Sequence, residues 1–176
     1  AAMDMRDRAK HEMHGLRMDG PNPFLTVALG EQHRTEVIYL ATDCSNEGVT
    51  LLMRVGSRLP LFHSAIGKAI LAVTPQERVE QIFGFARLDG EEVEVEARAQ
   101  YEIALQEYGE KGFCTGYGNW RSDVNGIAVP VHSLSDGRVY GLNVGGPSFR
   151  VKPKQLETAY APRLLKVAEA LSITER

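Results

Sequence analysis

The sequence predicts an α+β domain in which an antiparallel sheet carries helices on one face. Short segments rich in Val, Ile, Tyr and Thr occur in two groups of three, and helical patterns lie between the groups and at both ends. Strands that follow one another through short turns pair in antiparallel fashion. The 176 residues, 43% of them hydrophobic, are enough for one core and short for two.

The first part of the chain predicts one helix and three strands. From Met3 to Met18 the hydrophobic residues are scattered among charged ones, which predicts a connector helix that is largely exposed to solvent. The DGPNP run ends this helix because proline fixes its own backbone and restricts the preceding residue. The predicted strands are FLTVALG (24–30), EVIYLAT (36–42) and VTLLMRV (49–55), with a turn at EQHRT between the first two.

The second part predicts two helices, three strands and a final helix. Thr74 can cap the first of these helices with Glu77 at its third position, and the second ends at Lys111-Gly112. Pro130 predicts an edge, a bulge or a strand position that needs no N–H group. The strands are FCTGYG (113–118), GIAVPVHS (126–133) and VYGLNVGG (139–146), and the last helix has Leu156, Tyr160, Leu164, Val167 and Leu171 on one side with a kink at Pro162.

Composition limits the function. The 20 basic and 23 acidic residues give a formal charge of -3, without the basic excess of a nucleic-acid-binding domain. No apolar run is long enough to span a bilayer, and the N-terminus lacks the apolar core of a secretion signal. The two cysteines, Cys44 and Cys114, form no CxxC motif, so we expect a soluble protein of the reducing cytoplasm with no membrane partner.

The segment RVGSRLPLFHSAIGKAILA (54–72) combines an extended, proline-containing stretch with the start of a helix. His63 or Ser64 can cap a helix that begins near Ala65. The first N–H groups of a helix lack intrahelical partners and lie at the positive end of its dipole, so this start is a potential anion site. Gly67 predicts close approach of another backbone or a ligand, although Ala65 and Gly67 could equally serve only to pack the helix on the sheet.

This segment and GIAVPVHSLSDGRVYGLNVGGPSFRV (126–151) resemble two signature blocks of the effector-binding domain of the IclR family of bacterial transcriptional regulators. The resemblance implies a GAF-like or profilin-like fold, with a six-stranded antiparallel sheet and flanking helices around a small metabolite. It assigns residues 1–20 to a linker helix and residues 21–176 to the effector-binding domain. The family's winged helix-turn-helix domain is not recognisable in this sequence.

The resemblance also implies which residues contact an effector. Asn143 offers both a donor and an acceptor, and glycine at 145 removes a hydroxyl of the family pattern, so we expect an effector other than the family's small keto acids. Asn143 could instead satisfy backbone groups at a strand end, and Trp120 could belong to an interface rather than cover a ligand. The implied contacts are Leu59, Ser64, Ala65, Ile66, Trp120, Asp123, Val124, Gly126, Ala128, Asn143 and Gly145.

The leading prediction is therefore a sensor domain and not an enzyme. It would bind a small anionic organic acid, form a homodimer or homotetramer, and contact DNA only through an N-terminal domain. Exposed sheet edges also favour at least a dimer. No metal is predicted, because the candidate ligands His63, Cys114, Asp123 and His132 lack the spacing of a zinc site. No cofactor is predicted either, since Gly67-Lys68 lacks the other residues of a phosphate-binding loop.

Two alternatives stay open. The first is an enzyme with Cys114 as nucleophile and His63 or His132 as base, since these residue types can form such a pair. The second is an assembly module whose pocket is filled by side chains such as Phe62 and Ile66.

Overall fold

The computed structural model describes residues 4–44 and 53–173. Its six strands form one antiparallel sheet in the order β3-β2-β1-β6-β5-β4, which confirms the predicted α+β class. The strands are β1 Thr26–His33, β2 Glu36–Cys44, β3 Arg58–Pro60, β4 Cys114–Tyr117, β5 Val124–His132 and β6 Val139–Pro147. The helices are α1 Met5–Asp19, α2 Ala65–Val73, α3 Gln76–Asp89, α4 Glu91–Lys111, α5 Pro153–Gln155 and α6 Ala161–Ile173, with a π-helix at Leu156–Tyr160.

Helices cover both faces of the sheet, so the prediction of helices on one face is wrong. Val27 and Leu29 of β1 belong to a hydrophobic cluster with residues of α1 and α6, whereas Ala28 between them belongs to a second cluster with residues of α2, α3 and α4. Successive side chains of a strand point to opposite faces. Because β1 and β5 are buried through consecutive residues, both faces of the central sheet need a cover.

Helix α1 is largely exposed to solvent, as predicted, but it also buries one side, which the prediction did not include. Met5, Ala9, Met13 and Leu16 are buried against the sheet and α6. Their spacing of four, four and three residues is that of a helical stripe. The remaining positions face solvent wholly or in part.

Helix α2 lies close to the sheet because the residues beneath it are small. A Cβ atom on Gly141 would lie 2.4 Å from Cγ1 of Ile66, and one on Gly30 would lie 3.1 Å from Cδ1 of the same side chain. A Cβ on Gly67 would lie 1.9 Å from the carbonyl oxygen of Leu61. The close approach predicted at Gly67 is therefore made by the backbone of the preceding segment.

The third strand lies later in the chain than predicted. Residues 49–52 are outside the described part of the chain, and residues 53–55 are not in a strand. A turn intervenes, in which Gly56 has a φ of 88° and the Ser57 N–H donates to the Arg54 carbonyl at 2.9 Å. The strand begins beyond this turn, and Leu59 pairs with Val37 of β2.

Two predicted helix ends differ in outcome. Gly112 ends α4 in the left-handed conformation, as predicted. The capping box at Thr74 is wrong, because the Thr74 hydroxyl donates back to the Ile70 carbonyl at 2.6 Å, after α2, and no side chain caps α3.

The two prolines within predicted elements have different effects. The kink expected at Pro162 is a π-helical turn, Leu156–Tyr160, directly before it. Proline has no N–H for the regular helical bond, so a wider turn is accommodated there. Pro130 lies two residues beyond Ala128, where the β4 pairing ends, so β5 has only β6 as a neighbour at this point.

The sheet edges do not support the expectation that exposed strands pair between subunits. Strand β3 is three residues long and contains Pro60. At β4, the N–H and the hydroxyl of Thr115 each donate to the Glu107 carboxylate at 2.6 Å. This side chain occupies the edge that a partner strand would need.

No helix in the described ranges is both long and apolar enough to cross a membrane.

Candidate functional site

A cleft lies between the start of α2 and the sheet, and each of the six strands contributes to its lining. It encloses about 480 Å³ including its open mouth, and the centres of water-sized molecules can occupy about 40 Å³ of it. This inner space corresponds to about three water positions. The lining residues are Thr26, Tyr39, Met53, Leu59, Ser64, Ala65, Gly116, Trp120, Val124, Asn125, Gly126, Asn143, Gly145 and Gly146.

A second groove, between His63 and helices α3 and α4, is roomier but chemically less specific. The centres of water-sized molecules can occupy about 350 Å³ of this groove, which is more open to solvent and has Asp89, Glu92 and Glu96 among its lining residues. We prefer the cleft because unpaired polar groups of several elements converge on it.

The start of α2 forms one wall of the cleft. Ser64 is the N-cap, which confirms one of the two predicted caps: its Oγ accepts from the Gly67 N–H at 3.1 Å and donates to the Pro60 carbonyl at 2.7 Å. Among the described residues, the N–H groups of Ala65 and Ile66 have no hydrogen-bond acceptor. These two donors and the helix dipole make the start of α2 suitable for an anion.

The opposite wall is bare backbone. Gly116, Gly126 and Gly145 are paired side by side across β4, β5 and β6. A Cβ on Gly116 would lie 3.1 Å from the Ala65 nitrogen, and one on Gly145 would lie 2.8 Å from the Asn125 carbonyl oxygen. The glycine row therefore lets the start of α2 approach the sheet and keeps the floor of the cleft free of side chains.

Asn143 and Tyr39 form a polar pair on the cleft wall. Nδ2 of Asn143 donates to the Tyr39 Oη at 3.0 Å, while Oδ1 of Asn143 is buried and has no partner among the described residues. Burial raises the pKa of Tyr39 to about 12, an effect that the bond from Asn143 opposes. The tyrosine is therefore a neutral hydroxyl at physiological pH.

The structure brings most of the predicted effector contacts to this cleft. They are Leu59, Ser64, Ala65, Trp120, Val124, Gly126, Asn143 and Gly145. Ile66 lies instead over Gly141 in the core, and Ala128 is buried in the same core. Asp123 is exposed and pairs with Arg121 at 2.9 Å. That the cleft residues contact an effector stays a prediction.

Sequence reasoning missed several lining residues. They are Thr26, Tyr39, Met53, Gly116, Asn125 and Gly146. Thr26 pairs with Gly145, and Gly116 pairs with Gly126. Strand register would therefore have found these two from the predicted glycines, but register is not visible in the sequence pattern.

The structure gives Cys114 none of the properties of a nucleophile. It is buried, and its Sγ lies 3.8 Å from the Ala104 carbonyl. Burial, and then the negative charge of Glu107, raise the pKa of the thiol to about 12. A reactive cysteine needs the opposite, a lowered pKa and access to solvent.

We therefore expect Cys114 to resist alkylation in the folded protein. At pH 8, a thiol with a pKa of about 12 is ionised to about one part in ten thousand. Iodoacetamide should label the exposed Cys44, and Cys114 should react only after unfolding in urea, as mass spectrometry of the peptides would show. Equal labelling of both cysteines in the native protein would contradict this assignment.

The cleft is also not filled in the manner of the assembly-module alternative. Phe62 stacks on Phe83 with ring centroids 5.8 Å apart, and Ile66 packs on the sheet glycines. Neither side chain lines the cleft.

The fold is that of the C-terminal domains of bacterial transcriptional regulators. Residues 2–173 match the family model described as "Bacterial transcriptional regulator IclR C-terminal". The chain belongs to this family, as its two signature blocks predicted.

Individual transcriptional regulators resemble this chain in sequence and in fold. An IclR-family regulator from Brucella abortus is 30% identical, with a TM-score of 0.83 over 97% of this chain and 63% of that one. The C-terminal domain of KdgR from Escherichia coli shares the fold at 23% identity, with a TM-score of 0.72 over 97% of each chain. TsaQ1/TsaQ2 of Comamonas testosteroni, an HTH-type transcriptional regulator, is 26% identical over 155 residues, or 86% of this chain and 55% of that protein. The chain thus spans about half the length of the curated relatives it matches.

Proposed function

We propose that this domain is the effector sensor of a bacterial transcriptional regulator and that the cleft binds a small organic anion. The observation that carries the proposal is the N–H group of Ala65, which begins α2 in the lining of the cleft and has no acceptor among the described residues. A carboxylate bound there would accept from the Ala65 N–H and lie at the positive end of the helix dipole.

The charge of the cleft fits this ligand. The described lining residues include no Asp or Glu, so nothing there repels an anion. They include no Lys or Arg either, so binding would rest on amide donors and on the exclusion of water. A small volume of about 40 Å³ favours a compact acid over a bulky one.

The response would be a change in how subunits are arranged. We propose a homodimer or homotetramer in the cytoplasm that binds DNA through a separate N-terminal domain, with residues 1–20 as the linker helix that carries the change. An effector can shift such an arrangement only by its difference in affinity for the two states, typically about 1–3 kcal/mol.

The proposal predicts that small carboxylates change the fluorescence of Trp120, the single tryptophan of the chain, which lines the cleft. Acetate, propionate, pyruvate, lactate and succinate would be titrated, with propionamide as the uncharged control. A true ligand should also raise the thermal stability, by about 2.7 kcal/mol at one hundred times its Kd.

The variant Ala65→Pro tests the amide directly. Proline is well tolerated at the first helical position and removes one N–H donor, so we expect a folded protein with at least about ten-fold weaker carboxylate binding. Gln76→Pro makes the same change at the first position of α3, away from the cleft, and should bind as the wild type does. If no carboxylate in the panel changes fluorescence or melting, the proposed function is wrong.

A further inference from the structure

One buried polar atom of the cleft wall has no partner. Oδ1 of Asn143 is shielded from solvent and accepts no hydrogen bond from the described residues. An unpaired acceptor in such a position costs free energy, so a group that donates to it would be favoured there. A carboxylate cannot do so, because its oxygens only accept.

The hydroxyl of Tyr39, next to Asn143, supplies a hydrogen-bond donor beside this acceptor. The Tyr39 Oη accepts from Nδ2 of Asn143 at 3.0 Å, and its own hydrogen has no acceptor within the described part of the chain. Asn143 and Tyr39 thus place one free acceptor and one free donor next to each other. A single alcohol hydroxyl satisfies both, since it donates to one atom and accepts from the other.

An ammonium group would satisfy only half of the pair. It donates to Asn143 but has no lone pair with which to accept from Tyr39. Tyr39 keeps its proton at physiological pH, because burial raises the pKa of its hydroxyl to about 12. It therefore remains a donor for which an ammonium group offers no acceptor. The pair therefore distinguishes a hydroxyl from both an amine and a methyl group.

We propose that Asn143 and Tyr39 form a hydroxyl-selecting position, so that the ligand of this cleft is a small hydroxy acid. This inference rests on the proposed function, in which the start of α2 receives the carboxylate. Asn143 and Tyr39 both line the cleft that Ala65 borders, so the two positions share one space. Because Oδ1 is shielded from solvent, the bond requires the Asn143 side chain to turn toward the ligand.

The test compares acids that differ by one group. Acetate would be paired with glycolate, and propionate with lactate, 3-hydroxypropionate and β-alanine, each titrated by calorimetry against the wild-type chain. We expect at least one hydroxy acid to bind ten-fold or more tightly than its parent acid, because binding sites reject analogues that leave buried polar groups unpaired. The amine should show no such gain.

Two variants assign the preference. Asn143→Leu replaces the amide with an apolar group of similar size, and Tyr39→Phe removes only the hydroxyl. Each should reduce the preference to three-fold or less while the parent acid still binds. Two variants are used, with melting curves, because one of them could fail to fold. Thr26→Val removes another hydroxyl of the cleft wall, and loss of the preference there but not in Asn143→Leu would overturn the assignment.

The outcomes separate the two levels of the proposal. Equal binding of parent and hydroxy acids to the wild type overturns the hydroxyl-selecting position and leaves the proposed function standing. Absence of binding by every acid overturns both.

Discussion

Glu107→Ala is expected to lower the free energy of unfolding by about 3–5 kcal/mol, the cost of leaving a buried charge without its partner. Nζ of Lys68 lies 3.8 Å from Oε1 of Glu107, and the lysine side chain is 4% exposed. The same carboxylate accepts from the N–H and the hydroxyl of Thr115. Alanine would leave one cation and two donors without a partner among the described residues.

Matched variants separate the network from a general effect on α4. Glu110→Ala removes an exposed carboxylate of the same helix and should change stability by less than about 0.5 kcal/mol. The double variant Lys68→Met, Glu107→Leu removes both charges and should recover the part of the loss that comes from the unpaired lysine, while the two Thr115 donors stay without their acceptor. Urea unfolding gives the three values, and a Glu107→Ala protein as stable as Glu110→Ala would show that the network contributes nothing.

Gly67→Ala is expected to lower the free energy of unfolding by about 3 kcal/mol, at the upper end of the range for inserting an atom into a packed interior. Its Cβ would lie 1.9 Å from the Leu61 carbonyl oxygen, which belongs to the backbone and cannot rotate away. Either the 59–64 segment or the start of α2 must move. The change would therefore also displace the free N–H groups of Ala65 and Ile66.

The same substitution elsewhere should have the opposite sign. Apart from the backbone of the helix itself, no described atom lies within 4 Å of a Cβ added at Gly84 in α3 or at Gly109 in α4. Alanine at either site should stabilise by about 0.5–1 kcal/mol, because glycine is a poor helix former. Urea unfolding of the three variants tests the contrast, and destabilisation of similar size at all three sites would refute the proposed clash at Gly67.

Local sequence patterns predicted most helices and strands of this fold. The position of β3 and the placement of the helices on the sheet depend instead on contacts between distant parts of the chain. Strands such as Glu36–Cys44 are long enough to show their composition, whereas the three-residue β3 is too short for any periodicity. The buried side of α1 is hard to recognise in the sequence, because Ala9 is small and charged residues surround Met5 and Met13. Helices cover both faces of the sheet because consecutive residues of β1 and β5 are buried. Which residues are buried depends on the elements packed against the strands, and these are not visible in the local sequence pattern.

The candidate site shows the same division. Ser64 was found because helix capping is a local rule. Ala65 lines the cleft while Ile66 faces the sheet, since adjacent residues on a helix are about 100° apart, and the sequence alone does not give the rotation of α2. Tyr39 comes from a strand that the resemblance did not connect to the site, so only the folded arrangement brings it to Asn143.

The sheet separates the interior into two hydrophobic halves, and Tyr39, Leu59 and Ala65 of the cleft lining belong to the α2 half. Substitutions at well-separated sites usually add their effects on stability. A more stable variant is therefore best sought in the α1 and α6 half, for example around Leu164, which does not line the cleft.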